Sequence, residues 1–335
     1  MELHKIDTEL PVVGYGESRQ GGRNENQDSF GFTDTKFGLL VTVCDGMGGG
    51  PGGKTASSIA VKEIIDGVMD ANEDETPTNA LLKAIHRANL AILAAVDENP
   101  RLKGMGTTCT ALLINKVSAV VAHVGDSRVY QLRHGHKVFR TFDHSLVFGL
   151  VKEKVITEEQ ARLSDQSNII TRALGLDAKL EIEVTERPYE KGDRFMLCTD
   201  GIHGTMPEKQ LIERASKGKN IGQIVDDIAT QVDGEGRRNG GGHDNLTLAI
   251  IETQQKSILT EKMSTRNKII FAGIAALLLV SFVFNMKQCS RNKKETTLTQ
   301  EMLFKTFSAE QSKDSIVSSP EGDSLIIKYV KSNNN

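Results

Sequence analysis

One stretch, residues 38–55 with the sequence GLLVTVCDGMGGGPGGKT, constrains the fold more than any other part of the chain. It begins with an apolar run typical of a buried strand, and Asp45 follows that run directly. The next residues are mostly glycine and include Pro51, a composition that ends a strand or a helix. Apolar residues return at helical spacing from Ala56. The stretch therefore predicts a strand, a carboxylate, an open turn and a helix at the mouth of a site.

Three interpretations of this stretch remain open on its own residues. Residues 48–55 match the P-loop pattern G-x-x-x-x-G-K-[ST], which cradles nucleotide phosphates between a strand and a helix. Alternatively, the Asp45 carboxylate and the Gly46 carbonyl are ligands of a hard metal ion. In the third interpretation, Asp45 only caps the following helix.

The strands further along the chain argue against the P-loop. Apolar, β-branched runs at 107–114 and 117–124 are separated by two residues, and a second pair at 129–132 and 137–140 has a similarly short connection. Strands joined so closely must be antiparallel, whereas P-loop sheets are parallel. Helices are predicted at 78–99, with Thr78 as its cap, and at 157–163, 207–215 and 221–232, with a glycine-rich basic loop at 234–242.

Composition and charge bear on the partner and on the compartment of the chain. Lys and Arg total 41 against 44 Asp and Glu, and aromatic residues make up 5% with no Trp, so no nucleic-acid partner is expected. The four cysteines form no CxxC pair, which suits a reducing compartment. The polar N-terminus has no apolar signal region, so we expect the first 250 or so residues to be cytoplasmic.

Residues 269–286 are apolar and have basic residues on both sides. Eighteen residues of helix reach about 27 Å, close to a hydrocarbon core of about 30 Å, and flanking Lys and Arg side chains can cover the difference. We therefore expect a single transmembrane helix and cell-membrane localisation. The expected organisation is a folded domain at 1–254, a polar linker at 255–268, the span at 269–286 and a polar tail at 287–335.

Several aspartates stand at the ends of apolar strands. Asp45 and Asp200 each end a strand and precede a glycine, and Asp244 opens the last strand. Asp28 precedes another strand, and Asp126 follows one. Clustered carboxylates repel one another unless cations bind, and oxygen ligands without His or Cys favour Mg²⁺ or Mn²⁺. Two such ions would leave the site attractive to an anion, and the planar group of Arg23 suits a phosphate.

These residues belong to seven motifs that occur in the order found in bacterial metal-dependent Ser/Thr protein phosphatases (PPM, or type 2C), which the chain resembles over roughly residues 8–252. The motifs are Arg23-x-x-Asn26-x-Asp28, Val43-Cys44-Asp45-Gly46-Met47-Gly48-Gly49, Gly106-Thr107-Thr108, His123-Val124-Gly125-Asp126-Ser127-Arg128, Thr171-Arg172-Ala173-Leu174-Gly175, Cys198-Thr199-Asp200-Gly201 and Asp244-Asn245-Leu246-Thr247.

The resemblance implies an α+β fold, a sandwich of two antiparallel β-sheets flanked by α-helices, with a two-metal site at one end. It makes Asp45, Gly46, Asp200 and Asp244 metal ligands, gives Asp126 to a third, weaker ion, and has Asp28 support the metal shell. Arg23 would hold the substrate phosphate, and residues 145–175 resemble the family's flap near the substrate entrance. The expected partners are phosphorylated proteins and an opposing Ser/Thr kinase.

Two positions depart from the family pattern. Gln27 replaces an acidic residue that many members carry, and Met47 stands where eukaryotic members have a His proposed as general acid. Since neither departure removes a direct ligand, we expect an active enzyme that hydrolyses phosphoserine and phosphothreonine. Two alternatives are a catalytically silent module that senses a phosphorylated partner and a hydrolase of small phosphorylated metabolites.

Overall fold

The computed structural model describes residues 3–48, 52–166, 168–263 and 265–266, together with residues 277, 281 and 302. The chain divides into two units, Met1–Thr265 and Arg266–Asn335. Within the described residues, no helix combines the length and the apolar character needed to cross a membrane. The span predicted at 269–286 lies outside the described residues, apart from Leu277 and Ser281.

Two antiparallel sheets form the centre of the first unit. The larger sheet has the strand order β1 (Leu3–Ile6), β2 (Val12–Arg19), β13 (Leu246–Thr253), β12 (Arg194–Cys198), β9 (Arg128–Arg133) and β10 (His136–Arg140). The smaller sheet has the order β11 (Glu183–Arg187), β8 (Ala119–Val124), β7 (Cys109–Ile114), β4 (Gly38–Cys44) and β3 (Ser29–Thr35). A two-stranded ladder joins β5 (Gly46–Met47) to β6 (Gly106–Thr107). The predicted hairpins are confirmed as β7–β8 and β9–β10.

Both faces of the central strands are buried, which explains why their sequences are apolar without interruption. In β4, Leu39, Val41 and Val43 pack in the core between the two sheets, whereas Leu40 and Cys44 face the helices. In β12, Phe195 and Leu197 face the other sheet, and Met196 faces the helices on the opposite side. Successive side chains of a strand point to opposite faces, so each strand contributes to two cores.

Helices connect the strands, and four of them cover the outer faces of the sandwich. They are α1 (Gly52–Asp70), α2 (Pro77–Glu98), a short 3₁₀ helix (Pro100–Leu102), α3 (Leu146–Lys152), α4 (Glu158–Arg162), α5 (Asp200–His203), α6 (Glu208–Ser216) and α7 (Ile221–Arg238). The pair α1 and α2 packs on the smaller sheet, and α6 and α7 pack on the larger one. The predicted sandwich of antiparallel sheets with flanking helices is thus confirmed.

Two local predictions were wrong. The cap of α2 is Thr76, whose side chain accepts a hydrogen bond from Asn79 N–H, and not Thr78. The glycine-rich loop begins later than expected, because α7 continues through Gly234 and Gly236 to Arg238. A Cβ at residue 236 would lie 2.2 Å from His243 Cγ, so this glycine makes room for the imidazole ring and does not end the helix.

The chain leaves the last strand at the far end of the sandwich from Asp244 and stays attached there. Ser257 is fully buried; its N–H donates to Tyr189 O at 2.8 Å, and Ile258 N–H donates to Lys116 O at 3.0 Å. The first residues of the predicted linker at 255–268 therefore belong to the first unit.

The packing predicts that Phe195→Ala lowers the free energy of unfolding by about 3–5 kcal/mol, because the side chain is fully buried between the sheets and its loss leaves a cavity. Phe142→Ala is the matched control, since Phe142 is half exposed, and it should cost less than about 1 kcal/mol. Urea denaturation measures both, and equal losses would contradict the assignment of the core.

Candidate metal centre

Strand ends bring the predicted site residues together at one end of the sandwich. Arg23, Asp45, Gly46, Asp126, Asp200 and Asp244 all line one cavity of about 540 Å³. Asp28 is buried beside this group, and its charge raises the pKa of Asp45. The cavity wall also includes Asn168 and Ile170 from the segment that resembles a flap.

Asp28 is held by two threonines that the sequence analysis quoted within motifs without giving them a role. Thr247 Oγ1 donates to Asp28 Oδ2 at 2.7 Å, and Thr199 Oγ1 donates to the same oxygen at 3.0 Å. These threonines lie on β13 and at the end of β12, next to the positions of Asp244 and Asp200. The carboxylate is thereby fixed with Oδ2 occupied and Oδ1 unbonded.

Burial and mutual repulsion disfavour ionisation of these carboxyl groups. Burial is the main cause that raises the pKa of Asp28 to about 7 and that of Asp200 to about 6. The charge of Asp244 adds to both shifts, and the charge of Asp200 adds to the shift of Asp28. Burial, followed by the charge of Asp28, raises the pKa of Asp45 well above its ordinary value. Burial likewise raises the pKa of Asp126, with Asp200 as the next cause. A cation would reverse these shifts.

Unbonded oxygens show that the donor set fits a divalent metal. Asp28 Oδ1, Asp126 Oδ1 and Asp200 Oδ1 are buried and make no hydrogen bond to any described residue. A buried carboxylate oxygen without a partner is costly, so a ligand is expected there. Since these donors are carboxylate oxygens, Mg²⁺ and Mn²⁺ are the suitable ions.

Arg23 makes a contact that the sequence did not predict. Its Nη2 donates to Asp244 Oδ2 at 2.9 Å, and both side chains are about half exposed at the cavity. An arginine has further N–H donors in the same plane, so this contact orients the group and leaves donors for a phosphate. Asp244 thus has a cationic partner within the site.

Glycines follow Asp45 and Asp200 because other backbone segments pass too close for a side chain. A Cβ at Gly46 would lie 2.1 Å from Gly53 O, and a Cβ at Gly201 would lie 1.9 Å from Asn245 O. The glycine run therefore packs the start of α1 against the strand end that carries Asp45. The P-loop interpretation fails here, since Lys54 Nζ donates to Asp28 O at 2.9 Å and the sheets are antiparallel.

Two further residues position the site, and sequence reasoning missed their roles. Thr108 Oγ1 accepts a hydrogen bond from Asp45 N–H at 2.9 Å and contacts Ser127 Oγ at 2.7 Å. Asn245 accepts from Gln27 N–H and donates to the carbonyls of Gln20 and Glu25, which fixes the loop that carries Arg23. Both residues belong to the quoted motifs, and Asn245 directly follows Asp244, which was the available signal.

Comparison with known proteins identifies the family. Residues 15–238 match the family described as Protein phosphatase 2C. The chain belongs to this family. The phosphatase is 33% identical over 237 residues to the serine/threonine phosphatase stp of Listeria welshimeri, covering 69% of this chain and 91% of that protein.

Solved phosphatases share the fold. The crystal structure of the Mycobacterium tuberculosis serine/threonine phosphatase PstP/Ppp is 30% identical, with a TM-score of 0.63 over 73% of this chain and 100% of that chain. A second structure, the PstP catalytic domain in complex with two manganese ions, is also 30% identical, with a TM-score of 0.60 over 72% of this chain and 97% of that one. The predictions of a Ser/Thr protein phosphatase and of Mg²⁺ or Mn²⁺ as cofactor are confirmed at the level of the family.

The raised pKa of Asp200 predicts that the free energy of unfolding of the metal-free protein depends on pH. The unfolded residue ionises near pH 4, whereas the folded one holds its proton to about pH 6, so folded stability falls as the pH rises between these values. In chelator, Asp200→Asn should therefore raise the free energy of unfolding by about 1–3 kcal/mol at pH 7.5 and by much less at pH 4.5.

Urea denaturation at the two pH values measures this difference. Asp97→Asn is the control, because it removes an exposed carboxylate from α2. An Asp200→Asn variant that is destabilised equally at both pH values would contradict the electrostatic account.

Proposed function

We propose that this phosphatase hydrolyses phosphoserine and phosphothreonine in proteins with water activated by two divalent ions, while a span at 269–286 holds it at the membrane. Water and the phosphomonoester give inorganic phosphate and the free hydroxyl side chain. The observation that carries the proposal is the convergence of Asp45, Asp126, Asp200 and Asp244 on one cavity, with unbonded oxygens buried there.

Asp45, Asp200 and Asp244 would hold the two ions, with the Gly46 carbonyl as a further ligand. When bound, the ions supply Lewis-acid activation of the attacking water and neutralise phosphate charge. Asp28 would support the metal shell beside these ligands. Its Oδ2 is fixed by two threonines, and its Oδ1 has no hydrogen bond to a described residue.

Arg23 would bind the phosphate of the substrate. It lines the cavity, and its contact with Asp244 keeps the guanidinium at the rim, where other N–H donors can reach two phosphate oxygens. Met47 also lines the cavity, and a thioether has no proton to give. The leaving hydroxyl must therefore take its proton from water or from the substrate's own surroundings.

Membrane anchoring rests on the sequence of residues 269–286 and on their basic flanks. With this anchor the catalytic unit would lie in the cytoplasm, where a Ser/Thr kinase acting in opposition would supply phosphorylated proteins. Residues 287–335 would then lie across the membrane.

Asp45→Asn should lower phosphate release from a phosphothreonine peptide at least about 100-fold, because loss of a metal's outer-shell partner already costs 10–100-fold and Asp45 would be a direct ligand. The assay uses the full chain with Mn²⁺, with Mg²⁺ and with a chelator, and Asp97→Asn is the control.

Full metal-dependent activity in Asp45→Asn would refute the two-metal mechanism. Release from p-nitrophenyl phosphate without release from the peptide would favour a hydrolase of small phosphorylated metabolites. Peptide binding without release at saturating metal would favour a module that senses a phosphorylated partner.

Deletion of residues 269–286 should move the phosphatase from the membrane pellet to the supernatant after cell fractionation, with peptide hydrolysis retained. A chain truncated after residue 286 keeps the span and should stay in the pellet. If the deletion variant stays in the pellet after a high-salt wash, the span is not the anchor.

A further inference from the structure

The turn that carries Asp126 is held tightly against the metal cavity. Gly125 has φ +103°, and a Cβ there would lie 2.7 Å from Thr108 Cγ2. Thr108 in turn accepts a hydrogen bond from Asp45 N–H. The turn is therefore packed against the residue that holds the Asp45 peptide, and its position sets where the Asp126 carboxylate lies.

His144 binds the Gly125 residue of this turn through two hydrogen bonds. Gly125 N–H donates to His144 Nδ1 at 3.1 Å, and His144 N–H donates to Gly125 O at 2.7 Å. The same residue joins the flap, because Thr171 N–H donates to His144 O at 2.7 Å. His144 is buried, so water does not compete for these bonds. One residue thus connects the Asp126 turn to the base of the flap.

Glu183 faces the Nε2 side of the His144 ring without a hydrogen bond to it. Since Nδ1 accepts from Gly125, the proton of the neutral ring is on Nε2, which lies 3.5 Å from Glu183 Oε1. Burial lowers the pKa of His144 to about 4, so the ring is neutral at pH 7. His123 packs against it with ring centroids 4.5 Å apart, and its Nδ1 lies 3.9 Å from Glu183 Oε2.

His123, His144 and Glu183 also bring ligand atoms within 4.8 Å of one another, as a metal site would. The hydrogen bond from Gly125 argues against that use. It places the ring proton of His144 on Nε2, the atom that faces Glu183 and would have to bind the ion. The His144 ring is therefore better suited to holding the Gly125–Asp126 turn than to binding an ion.

A second buried histidine holds the turn at the next residue. His203 Nε2 lies 3.0 Å from Asp126 O, where it donates to the carbonyl. Histidines from two separate segments therefore fix consecutive residues of the turn, and the Asp126 side chain is left with a buried, unbonded Oδ1 at the cavity.

We propose that His144, through its two hydrogen bonds to Gly125, is a positioning residue that holds the Gly125–Asp126 turn so that the Asp126 carboxylate faces the metal cavity. The proposal rests on the proposed function and adds Asp126 to the carboxylates that would hold the ions, since its buried Oδ1 makes no hydrogen bond to a described residue. Outer contacts of this kind typically change metal affinity 10–100-fold when lost.

The test measures Mn²⁺ binding to the purified full chain by titration calorimetry, beside kcat and KM for the phosphothreonine peptide. His144→Ala should weaken the weakest Mn²⁺ step at least about 10-fold and leave the tighter steps within about twofold. His144→Asn should recover most of that affinity, because Asn Oδ1 occupies the position of Nδ1 and can accept from Gly125 N–H. Glu183→Ala should give a smaller effect of the same sign.

His136→Ala is the matched control, since His136 is exposed on β10 at the far end of the sandwich. An unchanged Mn²⁺ isotherm in His144→Ala would overturn the proposal. The proposal would also be overturned if His144→Ala and His144→Asn weakened every Mn²⁺ step equally and lowered Tm by the same amount. That result would show that His144 only stabilises the fold.

Zn²⁺ is then titrated into the Mn²⁺-saturated chain. If the chain binds Zn²⁺ and both His144→Ala and Glu183→Ala lose this binding, the three residues form a metal site and the proposal is wrong. Failure of the proposed function is distinguishable from these results. In that case the unaltered chain would release no phosphate, whereas the Mn²⁺ isotherms of the variants would still decide the role of His144.

Discussion

Repulsion between buried carboxylates governs the catalytic end of this phosphatase. Asp45, Asp126, Asp200 and Asp244 arrive from four separate strand ends, and Asp28 supports them from a fifth segment. Burial and neighbouring charge raise the pKa of Asp45 and Asp126 well above their ordinary values. Divalent ions relieve this repulsion, so metal binding and the stability of this end of the fold are thermodynamically linked.

Close backbone packing makes the convergence possible. Gly46 lies against Gly53 O and Gly201 lies against Asn245 O at distances that exclude a Cβ. Each glycine lets a neighbouring backbone segment pass next to the residue that follows a carboxylate. The same glycines would look like ordinary turn residues if only their own segments were considered.

Hydrogen bonds from outside the carboxylate set then fix its geometry. Thr199 and Thr247 hold Asp28, Thr108 holds the Asp45 peptide, and His203 holds the Asp126 carbonyl. These partners come from separate segments of the chain, so the geometry of the site depends on how the whole sandwich packs. The flap shares this support through the hydrogen bond from Thr171 N–H to the carbonyl of His144.

The sequence by itself determined the antiparallel hairpins, the buried strands and the carboxylates at their ends, because these follow from local periodicity, short connections and residue type. It placed the cap of α2 at Thr78 and ended α7 too early, since Thr76 and Gly236 are explained by contacts and not by composition. Only the tertiary structure decided that Arg23 meets Asp244 and that Thr247 meets Asp28, pairs separated by 221 and 219 residues. Contacts between residues so far apart depend on how the two sheets pack, which no local pattern encodes.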